Sequence, residues 1–206
     1  MILKIMFFII TFIPFNNFKI LLLNKFPNII IDKKSKIGFG IFFCGKKINI
    51  IQSKIGNFNY IDCINFKLSN SKILNNNIFI NLHKLNVKNK SIIGSRNIIS
   101  CLRNCNKIYI KMNKSQISTN FRFNLTNNLY LGERVILGGL NTKIIDQKNE
   151  NVKKSTTLYK NIFVGSNVTI KNGIKINKDI IIGANTLVDE NIYESGKYFS
   201  KNLEVF

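Results

Sequence analysis

Apolar residues return at every sixth position along this chain, and that beat limits the fold more than any other feature. Positions 37, 43, 55, 61, 73, 79 and 85 are Ile, Phe, Ile, Ile, Ile, Phe and Leu, with Asn49 and Lys67 as the exceptions. Near the C-terminus, positions 164, 170, 176, 182 and 188 are Val, Ile, Ile, Ile and Val. Two residues ahead of each, positions 162, 168, 174, 180 and 186 are Ile, Val, Ile, Ile and Thr. An α-helix repeats at about 3.6 residues and a lone strand at 2, so neither gives a period of six. A short strand and a turn repeated as the faces of a solenoid do. A longer beat of eighteen residues supports three faces per coil. Ile37-Gly38 recurs as Ile55-Gly56, and Val164-Gly165-Ser166-Asn167-Val168 recurs as Ile182-Gly183-Ala184-Asn185-Thr186. Gly and Asn then fall at corners, where a positive φ is expected. Each coil buries its apolar residues against its neighbours, so the domain is stable only as a stack.

The phase slips twice, by two residues between Leu85 and Ile93 and again between Leu137 and Ile162. The second slip contains Asp146 to Lys160 (DQKNENVKKSTTLYK), which is polar and carries no inward pattern. It predicts a loop extruded from a coil corner, the kind of place where a rigid scaffold carries function. The chain therefore divides into an apolar cap segment (1–34), an all-β solenoid (35–190) and a tail (191–206).

Composition agrees with an all-β reading. Ala184 is the only alanine, while isoleucine, β-branched, occurs 38 times, a poor recipe for a helical bundle. A hydrophobic fraction of 45% excludes a disordered chain. The formal charge of +21 would ordinarily point to a polyanionic partner. However, lysine is spread almost evenly from Lys4 to Lys201 and outnumbers arginine 27 to 4, although arginine is preferred for bidentate phosphate and guanine contacts. Nucleic acid is therefore not the expected partner. Cys44, Cys63, Cys101 and Cys105 show no zinc spacing and read as reduced, buried side chains of a cytoplasmic protein. The single histidine, His83, reads as structural.

Residues Ile5 to Phe15 form an apolar run of eleven, too short for a transmembrane helix, which needs roughly 20. Only Lys4 precedes it, and no small-x-small cleavage site follows, which argues against a signal peptide. Two roles are open to this segment: capping the end of the solenoid, or peripheral contact of residues 1–23 with a membrane.

The stretch Asn161 to Val188 (NIFVGSNVTIKNGIKINKDIIIGANTLV) resembles the terminal coils of hexapeptide-repeat acyltransferases, and the tail Glu194 to Leu203 (ESGKYFSKNL) is similar to that of members acting on surface polysaccharides. The resemblance implies a left-handed parallel β-helix, a homotrimer, and acetyl-CoA as co-substrate in the groove between neighbouring subunits. It implies transfer of an acetyl group to a carbohydrate hydroxyl. Carried across residue by residue, the acetyl-CoA contacts fall on Gly165, Ser166, Gly183, Ala184 and Thr186, with Lys201 as a cation for phosphate. A small side chain at Ala184 would let the pantetheine arm lie against the backbone.

The chain departs from that family at the base. Where relatives carry D-x-D-x-H in the loop, this sequence has Asp146-Gln147-Lys148-Asn149-Glu150, with Glu150 in place of the histidine. Three readings stay open: Glu150 or Asp146 acts as a weaker base, His83 reaches a site on a neighbouring subunit, or the chain is a relative that binds without catalysing. Lysines at 143, 148, 153 and 154 would depress a carboxylate pKa and weaken either acidic candidate.

Overall fold

The computed structural model describes residues 2–27, 29–43, 47–63, 65–82, 84–101, 109–125, 127–145 and 154–199. Two helices, α1 (Ile2–Thr11) and α2 (Asn16–Leu23), precede eight coils of parallel strand. Each coil contributes one strand to each of three sheets, here I, II and III in chain order. The first coil is Ile29–Ile31, Lys36–Ile37 and Phe42–Phe43, and the eighth is Lys175–Ile176, Ile180–Ile182 and Leu187–Val188. This is the three-faced solenoid expected from the beat and the left-handed parallel β-helix that the resemblance implies.

The inward pattern follows the hexads. All ten paired positions from Ile162 to Val188 are buried. On sheet II, Ile37, Ile55, Ile73, Ile93, Ile117, Leu137, Val164 and Ile182 form one axial column of register partners, every one of them buried. Asn49 and Lys67 break the beat because sheet I runs one residue out of phase. Its inward residues in coils 2 and 3 are Ile48 and Ile50, then Phe66 and Leu68.

Three expectations need correcting. First, the predicted loop does not extend to residue 160. Thr156–Leu158 is a strand of sheet I with Thr156 and Leu158 buried, because a Thr-x-Leu triplet offers two inward side chains once its register partners Leu129 and Leu131 are in place. Second, the solenoid exceeds the limits 35–190. It starts at Ile29, and Gly196–Tyr198 from the presumptive tail adds a ninth strand to sheet II. Third, the slip at Leu85 begins earlier, where Asn81 is the extra residue of a bulge opposite Asp62 and Cys63.

Corner chemistry is divided between two residue types. Seventeen described non-glycine residues hold a positive φ, and nine are asparagine, whose side chain tolerates the left-handed region. One such row runs down the corner between sheets II and III: Gly40, Phe58, Asn76, Arg96, Asn120, Asn141, Asn167 and Asn185. Gly38, Gly56, Gly165 and Gly183, two residues earlier, serve differently. They are absent from the positive-φ set, and a Cβ on Gly165 would lie 2.9 Å from the Ala184 backbone nitrogen. There glycine answers the close approach of the next coil.

Buried polar side chains stitch the corners axially. Ser35, Ser53, Ser71 and Ser91 each accept the N–H of the serine one coil on, ending at Ser115, over 3.1–3.2 Å. At the corner between sheets II and III, Asn59, Asn77 and Asn97 accept through Oδ1 the N–H groups of Asn77, Asn97 and Phe121, over 2.8–2.9 Å. Such ladders satisfy backbone donors that the corners would otherwise bury unpaired, although the last serine hydroxyl, at Ser115, is buried without a partner among the described residues.

The apolar N-terminal run does cap the solenoid. Asn24 Oδ1 accepts the Ile31 N–H, Asn16 Oδ1 accepts the Ile37 N–H and Thr11 Oγ1 accepts the Ile41 N–H, so the helices satisfy a donor of the first coil on all three sides. Lys19, 1% exposed, donates its ammonium to the Ile37 and Gly38 carbonyls and lies 4.6 Å over the Phe39 ring. Burial pulls its pKa below the usual lysine value.

Candidate functional site

The acetyl-CoA candidates cluster on the corner between sheets II and III in the last two coils. Sequence dictates this placement. Val164-Gly165 and Ile182-Gly183 each end a strand of sheet II, and the following Asn takes the left-handed bend at φ 55° and 59°. The Gly165 N–H donates to the Ile182 carbonyl and the Gly183 N–H to the Tyr198 carbonyl, both at 2.8 Å, which stacks the corners in register. Asn167 Nδ2 donates to Asn185 Oδ1 at 2.8 Å. A Cβ on Gly183 would strike the Phe199 ring. At Gly165 the neighbouring backbone requires glycine, whereas at Gly183 the exposed Phe199 ring could turn aside.

Ser166 and Ala184 stand exposed at the bend. Thr186 does not. It is buried, with its hydroxyl donating to the Gly183 carbonyl at 2.9 Å, so its side chain braces the corner. Asp146, Glu150, Lys201 and His83 lie outside the described residues, as do the side chains of all four cysteines.

The wiring of this corner changes along the solenoid. In the first three coils the residue after the corner position passes its N–H to a side chain one coil on: Phe39 to Asn57 Oδ1, Asn57 to Asn75 Oδ1, and Asn75 to Ser95 Oγ. Ser166 occupies that place in the seventh coil, and its partner eighteen residues on is Ala184, which has no acceptor. Among the described residues the Ser166 N–H has no partner, and neither do the N–H groups of Ser95, Thr119 and Gly139 at the same place in coils 4 to 6. The corner presents an outward backbone donor beside a side chain no larger than a methyl group.

Next to this corner, the outward column of sheet II turns apolar. Its register partners run Lys36, Lys54, Lys72, Ile92, Gln116, Ile136, Phe163, Ile181 and Lys197. Ile136, Phe163 and Ile181 are all among the exposed large apolar residues, with Leu140 beside them on the corner. These were missed by sequence reasoning, although the runs I-F-V and I-I-I betray apolar outward positions where alternation demands polar ones. Lys197 closes the column with a cation. A cavity of about 620 Å³ at the C-terminal end is lined by Asp189, Glu190 and Glu194 with Tyr193, Tyr198 and Phe199. Its carboxylates make it unsuited to phosphate.

The base candidates are rooted elsewhere. The segment holding Asp146 and Glu150 leaves sheet III after Ile145 and rejoins sheet I at Thr156, at the corner between sheets III and I. The strands Lys143–Ile145 and Thr169–Lys171 separate that root from the Ser166 corner, a width of about 10 Å at the usual strand rise. Among the described residues no cluster of His, Cys, Asp and Glu could hold a metal ion. No protein-family model matches this chain, and neither does any curated protein sequence.

Proposed function

We propose that this protein is a hexapeptide-repeat acyltransferase that moves an acetyl group from acetyl-CoA to a carbohydrate hydroxyl, working as a trimer. The observation that carries the reading is the open Ser166 N–H beside Ala184. An amide or thioester carbonyl of the pantetheine arm could accept that donor, and the small neighbour leaves room for the arm to lie on the backbone. The apolar column of Ile136, Phe163 and Ile181 suits contact with the arm and with a neighbouring subunit, while Lys197 would meet phosphate.

In this chemistry the acceptor oxygen attacks the thioester carbonyl carbon. The C–O bond forms as the C–S bond breaks, and the acceptor proton passes through a base to the leaving thiolate. Asp146 or Glu150 is the base available in the chain, and a neighbouring subunit would have to bring its loop to the Ser166 corner. A carboxylate among lysines is a poor proton acceptor near neutral pH, so turnover is slow. Losing a positioned base costs about 10²–10⁴-fold, which leaves orientation to supply the rest. The second reading, a β-helix that binds ligand without turning it over, is favoured by the missing histidine alone.

Thermal shift with CoA tests the binding step. Wild type should be stabilised, and Ala184→Val, at an exposed position that leaves the coil intact, should lose the shift. Absence of any CoA effect on wild type, or a monomer by light scattering, would remove the site. Glu150→Gln should leave CoA affinity unchanged and abolish transfer only if Glu150 is the base. Robust turnover unchanged by both Glu150→Gln and Asp146→Asn would refute placing the chemistry in this loop.

A further inference from the structure

The two helices that seal the solenoid leave an apolar face of their own. In α1 the buried residues Phe7 and Thr11 lie on the side against coil 1, and Ile5 and Ile9 lie on the opposite side of the helix. In α2 the buried face is Lys19, Ile20 and Leu23, with Leu21 and Phe18 turned away. Exposures of 61% for Ile9, 73% for Phe15 and 56% for Leu21 are high for side chains of this size. The only charged group of Ile5 to Leu23, the Lys19 ammonium, points inward to the carbonyls of coil 1. The outward faces of the helices between Ile5 and Leu23 are therefore apolar and uncharged.

Lysines border this end at one corner and continue along one side. Leu21, Asn17 and Asn24 share a cavity with Lys33 and Lys34, and Lys34 also lines a groove of about 550 Å³ with Lys36, Lys54, Lys72 and Lys90. None of these lysines forms an ion pair among the described residues. The one acid close by in sequence, Asp32, accepts the Lys34 N–H. Lys36, Lys54 and Lys72 are direct register partners, an arrangement of like charges that disfavours the strand pairing unless an anion answers it.

We propose that this end docks on an anionic lipid bilayer, with the exposed faces of α1 and α2 in the headgroup and acyl boundary and Lys33, Lys34 and Lys36 against the lipid phosphates. Neither helix is long or apolar enough to cross a membrane, so the contact is interfacial. A second copy of the chain fits poorly, because a two-fold contact through this face would bring lysine against lysine. A soluble polyanion would answer the lysines and leave the apolar face unexplained. End-on docking also sets an order among the lysines. Each coil moves the row away from the bilayer by one strand spacing, about 4.8 Å, so the field felt at Lys72 and Lys90 is screened over roughly a Debye length.

Cosedimentation of the full chain with vesicles of phosphatidylcholine alone, and of phosphatidylcholine mixed with phosphatidylglycerol, tests this proposal, which stands apart from the acyltransferase reading. Binding is expected only to the mixed vesicles and should weaken with salt. Lys33→Gln and Lys34→Gln should each cost about fivefold, Lys72→Gln and Lys90→Gln much less. Leu21→Glu and Ile9→Glu, both at exposed positions, should abolish pelleting while the melting temperature and circular dichroism stay those of wild type. The proposal fails if folded wild type does not pellet, or if it pellets equally with neutral vesicles. It also fails if Leu21→Glu leaves binding intact while all lysines matter equally and inorganic polyphosphate competes, since the site is then a groove for a linear polyanion. A drop in oligomer mass for Leu21→Glu, with no effect of lipid on wild type, would assign the face to a contact between copies.

Discussion

Asn77 is the middle rung of the asparagine ladder, and truncating it tests whether that ladder holds the coils together. Its side chain is fully buried, donates to Asn59 Oδ1 at 3.0 Å and to the Leu74 carbonyl at 3.2 Å, and accepts the Asn97 N–H at 2.9 Å. In Asn77→Ala the two acceptors keep other partners. Asn59 Oδ1 still takes the Asn77 N–H, and the Leu74 carbonyl still takes Asn59 Nδ2. Each lost bond there costs about 0.5–1.5 kcal/mol. The Asn97 N–H keeps nothing, and a buried orphan donor costs about 1–3 kcal/mol. The expected loss is about 4 kcal/mol. For a chain of this length that lowers the melting temperature by roughly 10 °C. Asn77→Thr should lose about half as much, because a hydroxyl can accept at this corner, as Thr142 accepts the Val168 N–H at 3.4 Å. Urea denaturation followed by circular dichroism measures both. A split transition, or a smaller m-value, would show the stack parting at the weakened coil. If Asn77→Ala unfolds within about 0.5 kcal/mol of wild type, the ladder carries no stability and the account of the Asn corners is wrong.

Ile182, fully buried between Val164 and Tyr198, should not tolerate a carboxylate; soluble, cooperatively unfolding Ile182→Asp would count against the register. Asn185 holds φ at 59°, so Asn185→Gly should change stability little while Asn185→Val should cost about 1–2 kcal/mol, read from the urea midpoint. The lowered pKa of Lys19 means that the unfolded chain binds more protons than the folded one between that lowered value and the ordinary 10.5. Stability attributable to Lys19 should therefore rise with pH across that window. The pH profile of Lys19→Met, subtracted from wild type, should show the slope, and its absence or reversal would mean the ammonium is fully compensated by its two carbonyls.

What the sequence disclosed was whatever repeats in phase. Isoleucines at hexad positions announced the inward columns, since a buried position tolerates little else. The phase shift of sheet I was hidden because Asn49 and Lys67 look like errors in the beat until the strands on either side are paired. The fifth coil shows a sharper limit. Ile93 pairs with Ile117, a step of 24 residues, and the added hexad falls within the segment between Cys101 and Tyr109. An insertion equal to the period leaves the periodicity untouched, so no count of apolar spacing could reveal it. At the candidate site, composition singled out Ala184, but the open N–H of Ser166 shows only when the coils are stacked. The capping role of Thr11, Asn16 and Asn24 rests on partners 7 to 30 residues away and carries no local signature.

Those three capping side chains have a consequence in the language of polymer growth. A parallel solenoid is a short length of filament, and an open first coil would template another chain as readily as it templates its own second coil. By taking one N–H on each side of the triangle, α1 and α2 act as a chain stopper that admits no further monomer. The far end is guarded less evenly. Gly196–Tyr198 covers sheet II and Ile192 bridges sheet I at Ile176, while Leu187–Val188 remains the last described strand of sheet III. Among the described residues, elongation into a fibre would find its open edge at the C-terminal end and would halt wherever it met another protein's sealed N-terminal helices.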